Sequence, residues 1–325
     1  MKIFTLFIFS FLCISLNAEV IFVKAGSNGG GSSWSSAFGD LSEALDYARS
    51  GDELWVAAGT YLPTNRNDRY AHFEVMDGVK LYGGFVGNET ALEQRDWATN
   101  RTILSGEIGS IATTNDNSYT VLYTRNVSLN TVIDGFTITK GYADGLGERG
   151  DIRRCGGAWF NDGEAGKSNP TVANCIFVDN YGRDGGAIYN YAKGGVCNPR
   201  IVNCQFLNNS ADLDGGAIYN DSSMGICNPV IKGCKLSGNK ATYGGGILNS
   251  GKDGGEASPT ITGCSFEDNI GYIRGGSIYS SESNGKCSPA ITSSYFSDNK
   301  ATVGREMYQK SEEGQVVSKG FVKKM

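Results

Sequence analysis

The chain has 325 residues with 29 basic and 34 acidic side chains, a formal net charge of −5. This mild acidity, without a long basic run, argues against nucleic-acid binding. No second apolar run of membrane length follows the N-terminal one, which argues against membrane insertion. Glycine contributes 46 residues and charged side chains only 19%, as is typical of short strands joined by tight turns. We therefore expect one elongated, β-rich domain.

The first residues have the pattern of a secretory signal peptide. Lys2 precedes an apolar run over residues 3–16, and Asn17 and Ala18 follow it. The run is too short to span a bilayer, and a small residue at its end suits a cleavage site. Residues 1–18 are therefore predicted to be removed on export. We expect the protein to be secreted or to lie on the outer surface of a bacterium.

A single helix is predicted near the N-terminus of the exported chain. Val20–Val23 has the pattern of a strand, and Asp40 then precedes an apolar stripe that begins at Leu41. Asp40 and Glu43 resemble a capping box. We expect this helix to cap the open end of a stack of strands, because an exposed sheet edge invites aggregation. In chain order, the predicted segments are the cap and first coil (19–60), irregular coils (61–154), regular repeats (155–309) and a C-terminal tail (310–325).

The regular repeats recur every 29 to 31 residues and contain four columns of equivalent positions. The first column alternates Asn with Gly, as expected of a bend residue with positive φ: Asn174, Asn203, Gly233, Gly263 and Ser293. The second column is mostly cysteine: Cys175, Cys204, Cys234 and Cys264. The third column is mostly aromatic: Phe177, Phe206, Leu236, Phe266 and Phe296. The fourth column is asparagine and ends each strand: Asn180, Asn209, Asn239, Asn269 and Asn299.

Such a period predicts coils that bury their apolar faces on one another. The cysteine and aromatic columns are two residues apart, so they share one face of a strand, which we place inside. The asparagine column is expected to form a ladder of side-chain hydrogen bonds. Each coil would hold three short strands, for example Ala187 to Asn190, Arg200 to Val202 and Cys204 to Leu207. Stacking at ~4.8 Å then gives a parallel β-helix with three sheets.

Two recurring elements resemble those of known surface proteins. Phe206-Leu-Asn-Asn209 and Gly215-Gly-Ala-Ile218 are similar to the repeats of chlamydial polymorphic outer-membrane proteins. The whole exported chain looks like a right-handed parallel β-helix of the pectin-lyase-like type. The resemblance implies an all-β fold, but little about activity, because such folds include lyases, hydrolases and adhesins. We expect neither a C-terminal membrane barrel of the autotransporter kind nor a C-terminal sorting domain.

Eight cysteines follow the predicted signal peptide, in a compartment where disulfides persist. A stack of coils would bring equivalent cysteines ~5 Å apart, within reach of a disulfide. For the inner column we favour buried thiols. The better disulfide candidate is Cys197 with Cys227, at a loop position that core packing is expected to constrain less. The close pairs of cysteines that zinc sites use are missing, so no metal site and no cofactor are predicted.

A further column, directly before the double glycine of each repeat, offers candidate catalytic groups. Asp184 and Asp214 precede the double glycine, and stacking should bring their carboxylates to ~5 Å, near the spacing of retaining glycosidases. Tyr243 and Arg274 continue the column. Asp before Gly is also an ordinary turn former, which we favour, and the extra residue before Asp214 would shift the register. The lone histidine, His72, lies outside the regular repeats, so histidine-based catalysis on this ridge is not expected.

Tyrosines after the double glycine form a candidate ligand-binding surface. Tyr189, Tyr219 and Tyr279 recur at one position and Tyr308 at its equivalent, and an outward ladder of such rings can stack against sugars or simply against one another. The leading hypothesis is an exported adhesin or glycan-binding module without catalysis, its partner a polysaccharide or a surface glycoprotein. The alternatives are a polysaccharide lyase or hydrolase that uses Asp184 and Asp214, and a structural envelope protein.

Overall fold

The computed structural model describes residues 18–310. The predicted signal peptide, apart from Ala18, and most of the predicted C-terminal tail lie outside these residues. No helix in the described part is both long and apolar enough to cross a bilayer.

The described chain is a parallel β-helix in which every strand pairs with its equivalents in neighbouring coils, as the repeat predicts. Along each regular coil, one strand belongs to each of four sheets. The first sheet has nine strands: Val20–Val23, Glu53–Ala57, Lys80–Phe85, Val132–Asp134, Thr171–Ala173, Arg200–Val202, Val230–Lys232, Thr260–Thr262 and Ala290–Thr292. The second has eight: Gly59–Tyr61, Thr102–Ser105, Phe136–Thr139, Ile176–Val178, Gln205–Leu207, Lys235–Ser237, Ser265–Glu267 and Tyr295–Ser297.

The remaining two sheets lie on either side of the double glycine. The third sheet has six strands: Tyr142–Ala143, Tyr181–Asp184, Ser210–Asp214, Lys240–Tyr243, Ile270–Arg274 and Lys300–Val303. The fourth has eight: Phe73–Glu74, Leu122–Arg125, Trp159–Asp162, Ile188–Tyr191, Ile218–Asp221, Ile247–Lys252, Ile278–Ser283 and Met307–Lys310. The sequence predicts three strands per coil, and these belong to the other three sheets. The third sheet consists of a fourth strand from each regular coil, formed because the link after the asparagine column also pairs from coil to coil.

The interior holds the columns that the sequence places there. Phe177 and Phe206 stack with ring centroids 4.8 Å apart and an interplanar angle of 3°. Cys175 and Cys204 lie beside them with no exposed surface. Parallel stacking at the spacing of neighbouring strands lets every coil repeat the same contact, so one residue type at one position fills the core along its length.

Two buried ladders of amides run along this core. In the first, predicted from the sequence, Asn209 Nδ2 donates to Asn239 Oδ1 at 3.0 Å, and the Asn209 backbone N–H donates to the same oxygen. In the second, Asn190 Nδ2 donates to Asn220 Oδ1 at 2.8 Å. Buried amides are tolerated because each finds partners in the adjacent coils. These ladders tie each coil to its neighbours through side chains as well as through the backbone.

The predicted bends have the expected backbone geometry. Asn174 and Asn203 have φ values of 53° and 54°, and Gly233 and Gly263 in the same column have 64°. Asn and Gly tolerate this left-handed region at the smallest cost, which explains their alternation.

The helix is present at Leu41–Tyr47, and the Asp40 carboxylate accepts the Ser42 N–H at 2.7 Å and the Glu43 N–H at 3.4 Å. Its buried residues Leu41, Ala44 and Leu45 join the interior core. Its role as a cap over the end of the β-helix stays a prediction.

Candidate functional site

The third sheet stacks the predicted acid column in register. Asp184 pairs with Asp214, Asp214 with Tyr243, and Tyr243 with Arg274. The extra residue before Asp214 is accommodated by an irregularity between Gly182 and Asp184, so the expected shift of register does not separate the carboxylates. The sequence therefore predicts correctly which residues of this column are neighbours.

A loop from Asp144 to Arg154 supplies two arginines to this column. Arg154 Nε donates to Asp184 Oδ2 at 2.5 Å, and Arg149 Nε lies 3.4 Å from Asp184 Oδ1. The Arg149 guanidinium also bonds with Asp214. The side chain of Asp184 has no exposed surface and that of Asp214 has 9%. The loop arginines thus pair with both carboxylates of the predicted catalytic pair.

The charges of this buried cluster do not balance. Asp184, Asp214 and Asp221 bring three carboxylates, whereas Arg149 and Arg154 bring two guanidinium groups. Burial raises the pKa of Asp214 to about 6, with a further contribution from Asp184 and Asp221 that Arg149 opposes. Desolvation disfavours the charged carboxylate, so Asp214 takes up a proton in mild acid.

The tyrosine column is buried, which corrects the expectation of an exposed ladder. Tyr189 and Tyr219 are 0% and 2% exposed, and Tyr279 is 8% exposed. The strand alternation does turn these rings away from the core that holds Ile188 and Ile218. They form a second apolar cluster that also contains Cys155 and, at its margin, Tyr243 and Ile152. Because their ring faces are covered, Tyr189 and Tyr219 offer no platform to a sugar.

Two tyrosine hydroxyls at this cluster bond with aspartates of the next coil. Tyr189 donates to Asp221 Oδ2 at 2.5 Å, and Tyr123 donates to Asp162 Oδ2 at 2.8 Å. Burial and the neighbouring Asp221 raise the pKa of Tyr189 well above its ordinary value. Tyr189 therefore stays a neutral hydrogen-bond donor, and its hydroxyl is used inside the protein.

Two cavities lie near these columns. One of about 230 Å³, which we call the loop cavity, is bordered by Arg149, Tyr191, Lys193, Tyr219, Asp221 and Lys252. The other, of about 210 Å³, we call the tyrosine groove; the residues that border it include Asn117, Lys140, Tyr142, Asp179, Tyr181 and Ser210. Both cavities border two tyrosines and charged groups of both signs, but only the tyrosines of the tyrosine groove, Tyr142 and Tyr181, stack on each other.

Four of these residues are missing from the sequence-based site. Tyr181 directly follows Asn180 of the asparagine column, and Tyr142 pairs with Tyr181 in register, so the position after that column could have revealed the pair. Arg149 and Arg154 belong to a loop without a counterpart in the other coils, and the repeat gives no indication of their position.

Within residues 18–310 all eight cysteines are free thiols, and all eight are buried. Cys197 and Cys227 have no exposed surface and form a small cluster with Ala192. This cluster is separate from the interior core that holds Cys175 and Cys204, and the weaker constraint by core packing stays a prediction. Burial and the neighbouring Cys197 raise the pKa of the Cys227 thiol, which disfavours the reactive thiolate. A disulfide between Cys197 and Cys227 stays a prediction for the exported protein.

The single histidine lies away from both cavities. His72 Nδ1 is 2.8 Å from the Tyr70 carbonyl oxygen, and its ring packs against Tyr123 at 5.0 Å between centroids. Burial lowers its pKa below the ordinary value. Among residues 18–310, no group of three or more His, Cys, Asp or Glu side chains is placed to hold a metal ion.

Comparison with known proteins gives one short match. A family model described as the Chlamydia polymorphic membrane protein repeat matches residues 203–221. The matched segment covers about two thirds of one regular repeat, from the bend at Asn203 through Phe206 and the double glycine to Asp221. No curated protein matches the chain.

Proposed function

We propose that this chain is a secreted or cell-surface β-helix protein that binds glycans and has no catalytic activity of its own. The match to a repeat of Chlamydia polymorphic membrane proteins supports a surface or outer-membrane-associated role. A stack of coils tied by amide ladders gives a long rigid surface, as solenoid proteins use for binding.

The observation that carries the proposal is that the two carboxylates of the acid column are buried and paired with arginines. A glycosidase pair needs one carboxyl group to protonate the leaving oxygen and a second to act at the sugar carbon. Here Arg154 and Arg149 pair with Asp184, which is fully buried, and Arg149 also pairs with Asp214. Groups used in this way stabilise the loop over the third sheet and are not presented to a substrate.

The competing function is a polysaccharide lyase or hydrolase. One observation favours it: the pKa of Asp214, about 6, suits a general acid near neutral pH. In that case the loop that carries Arg149 has to move away from the column before a polysaccharide can reach Asp214.

Both functions are tested with the purified full chain. We expect saturable binding to members of a glycan array, and no depolymerisation of acidic or neutral polysaccharides with or without Ca²⁺. The Asp214→Asn variant should bind as the unmodified protein does, and Asp46→Asn, at an exposed position of the helix Leu41–Tyr47, is the matched control. Turnover that Asp214→Asn abolishes would establish the enzyme and refute the proposal, as would the failure of every glycan to bind.

A further inference from the structure

The tyrosine groove has the features of a sugar subsite, and they begin with an incomplete stack of rings. Tyr142 and Tyr181 are neighbours in the third sheet and stack with centroids 4.6 Å apart at 25°. The next residue in register with Tyr181 is Ser210, whose side chain is too short to cover a ring. One face of Tyr181 is therefore left without an aromatic neighbour, in contrast to the covered rings of the fourth sheet.

The groove also contains a buried acceptor without a partner. Asn117 is 1% exposed, and its Nδ2 donates to the Lys140 carbonyl oxygen at 2.8 Å. Its Oδ1 is buried and accepts no hydrogen bond from the described residues. A buried acceptor left in this state costs roughly 1–3 kcal/mol, which a donor from a bound molecule removes. Asn117 borders the groove, and its Oδ1 has almost no accessible surface, so the side chain must shift before a donor in the groove can reach that atom.

The size and charge of the groove restrict its occupant. A volume of about 210 Å³ is below that of pockets for drug-sized ligands and suits a single ring. The charged side chains that border it, Lys140 and Asp179, have opposite signs, so the lining carries no net charge. This balance favours an uncharged ligand over a uronic acid or a phosphate.

We infer that the tyrosine groove binds one uncharged pyranose ring of a glycan. The apolar face of the sugar stacks on the face of Tyr181 that has no aromatic neighbour, and a sugar hydroxyl donates to Asn117 Oδ1 once that side chain has shifted. This inference rests on the proposed function and assigns it a site and a ligand class. Burial and the neighbouring Asp212 raise the pKa of Tyr181, so its phenol stays neutral and adds no charge to the site.

The probes are the methyl glycosides of glucose, galactose, mannose, N-acetylglucosamine and glucuronic acid, titrated into the full chain by calorimetry or ligand-observed NMR. We expect saturable binding of at least one neutral glycoside and weaker binding of the glucuronide. Tyr181→Ala should weaken binding about tenfold, because it removes the stacking surface. Tyr181→Phe, which keeps the ring, should bind as the unmodified protein does.

A second variant tests the site by filling it. Ser210→Tyr extends the stack by one ring and covers the face of Tyr181 that has no aromatic neighbour. The fold should be retained, because aromatic residues suit strand positions. We expect it to abolish glycoside binding. Tyr272→Ala, at a tyrosine on the same sheet that is 59% exposed, is the matched control and should leave binding unchanged. Circular dichroism and thermal unfolding establish that each variant is folded.

The outcomes separate the site from the function. If folded Tyr181→Ala and Ser210→Tyr bind the array glycans as the unmodified protein does, the groove is not the site, and the proposed function stands. If the unmodified chain binds no glycan at all, both fail. If the glucuronide binds more tightly than every neutral glycoside, the assignment of an uncharged ligand is overturned.

Discussion

Replacement of Asp214 by Asn should stabilise the protein at neutral and alkaline pH. Asp214 is 7% exposed, and burial together with Asp184 and Asp221 raises its pKa from the ordinary 3.8 to about 6. This difference corresponds to about 3 kcal/mol of unfolding free energy lost when the carboxyl group is ionised. Asparagine keeps an oxygen that accepts a bond from Arg149 and removes the buried charge. We expect Asp214→Asn to be about 1–3 kcal/mol more stable at pH 8.

The pH dependence gives this prediction its sign. Between pH 4 and pH 6 the folded protein holds the Asp214 proton, whereas the unfolded chain has largely released it. The folded state then binds more protons, so the contribution of Asp214 to stability is present below pH 4 and is lost as the pH rises through 6. The advantage of Asp214→Asn should therefore vanish near pH 4.

Urea unfolding followed by circular dichroism at pH 4, 6 and 8 measures this effect. Asp253→Asn is the matched control, because the Asp253 side chain is 52% exposed on a turn and Asn tolerates its φ of 52°. The control should show no advantage that depends on pH. The reasoning is refuted if Asp214→Asn is less stable than the unmodified protein by the same amount at all three pH values, since the Arg149 bond would then outweigh desolvation.

Three further predictions concern the interior. Asn239→Ala should lower the free energy of unfolding in urea by about 2–3 kcal/mol, because Asn209 and Asn269 lose buried partners. Asn65→Ala on the surface should leave it unchanged. An equal decrease in both variants would contradict the ladder. Phe206→Ala should cost about 3–5 kcal/mol by leaving a cavity beside Phe177, and a loss below ~1 kcal/mol would show that the core is not packed as described. The eight buried cysteines should react with a thiol reagent only after unfolding; rapid labelling of the folded protein would contradict their burial.

The regular coils could be predicted from the sequence because residues at equivalent positions of neighbouring coils pack against one another. The cysteine, aromatic and asparagine columns each repeat one contact, so a spacing of about thirty residues fixes both the stacking and the inward face. The third sheet was missed because its strands vary in length and composition. Tyr181–Asp184 contains a glycine, and Ser210–Asp214 has one residue more. Their pairing depends on backbone hydrogen bonds that any side chain permits.

Strand alternation predicts the direction of a side chain but not what covers it. It turns Tyr189 away from the core correctly, yet the ring is buried by an apolar cluster that includes Cys155. In the same way, the register of Asp184 and Asp214 follows from the repeat, whereas Arg149 and Arg154 come from a loop with no equivalent in other coils. Contacts between columns repeat along the chain, and contacts with a single loop do not.

The loop over the acid column is held at both ends. At its start, Asp144 accepts a bond from Arg69 at 2.7 Å, and Arg69 also donates to the Tyr142 carbonyl oxygen and lies 4.0 Å from the centre of the Tyr119 ring. At its end, Arg154 bonds with Asp184 and with the Gly147 carbonyl oxygen. A substrate could reach Asp184 only after these bonds break and a buried carboxylate loses its cation, which costs about 3–5 kcal/mol. Binding in the tyrosine groove requires no such opening, which is why the groove is the better place to look for a ligand.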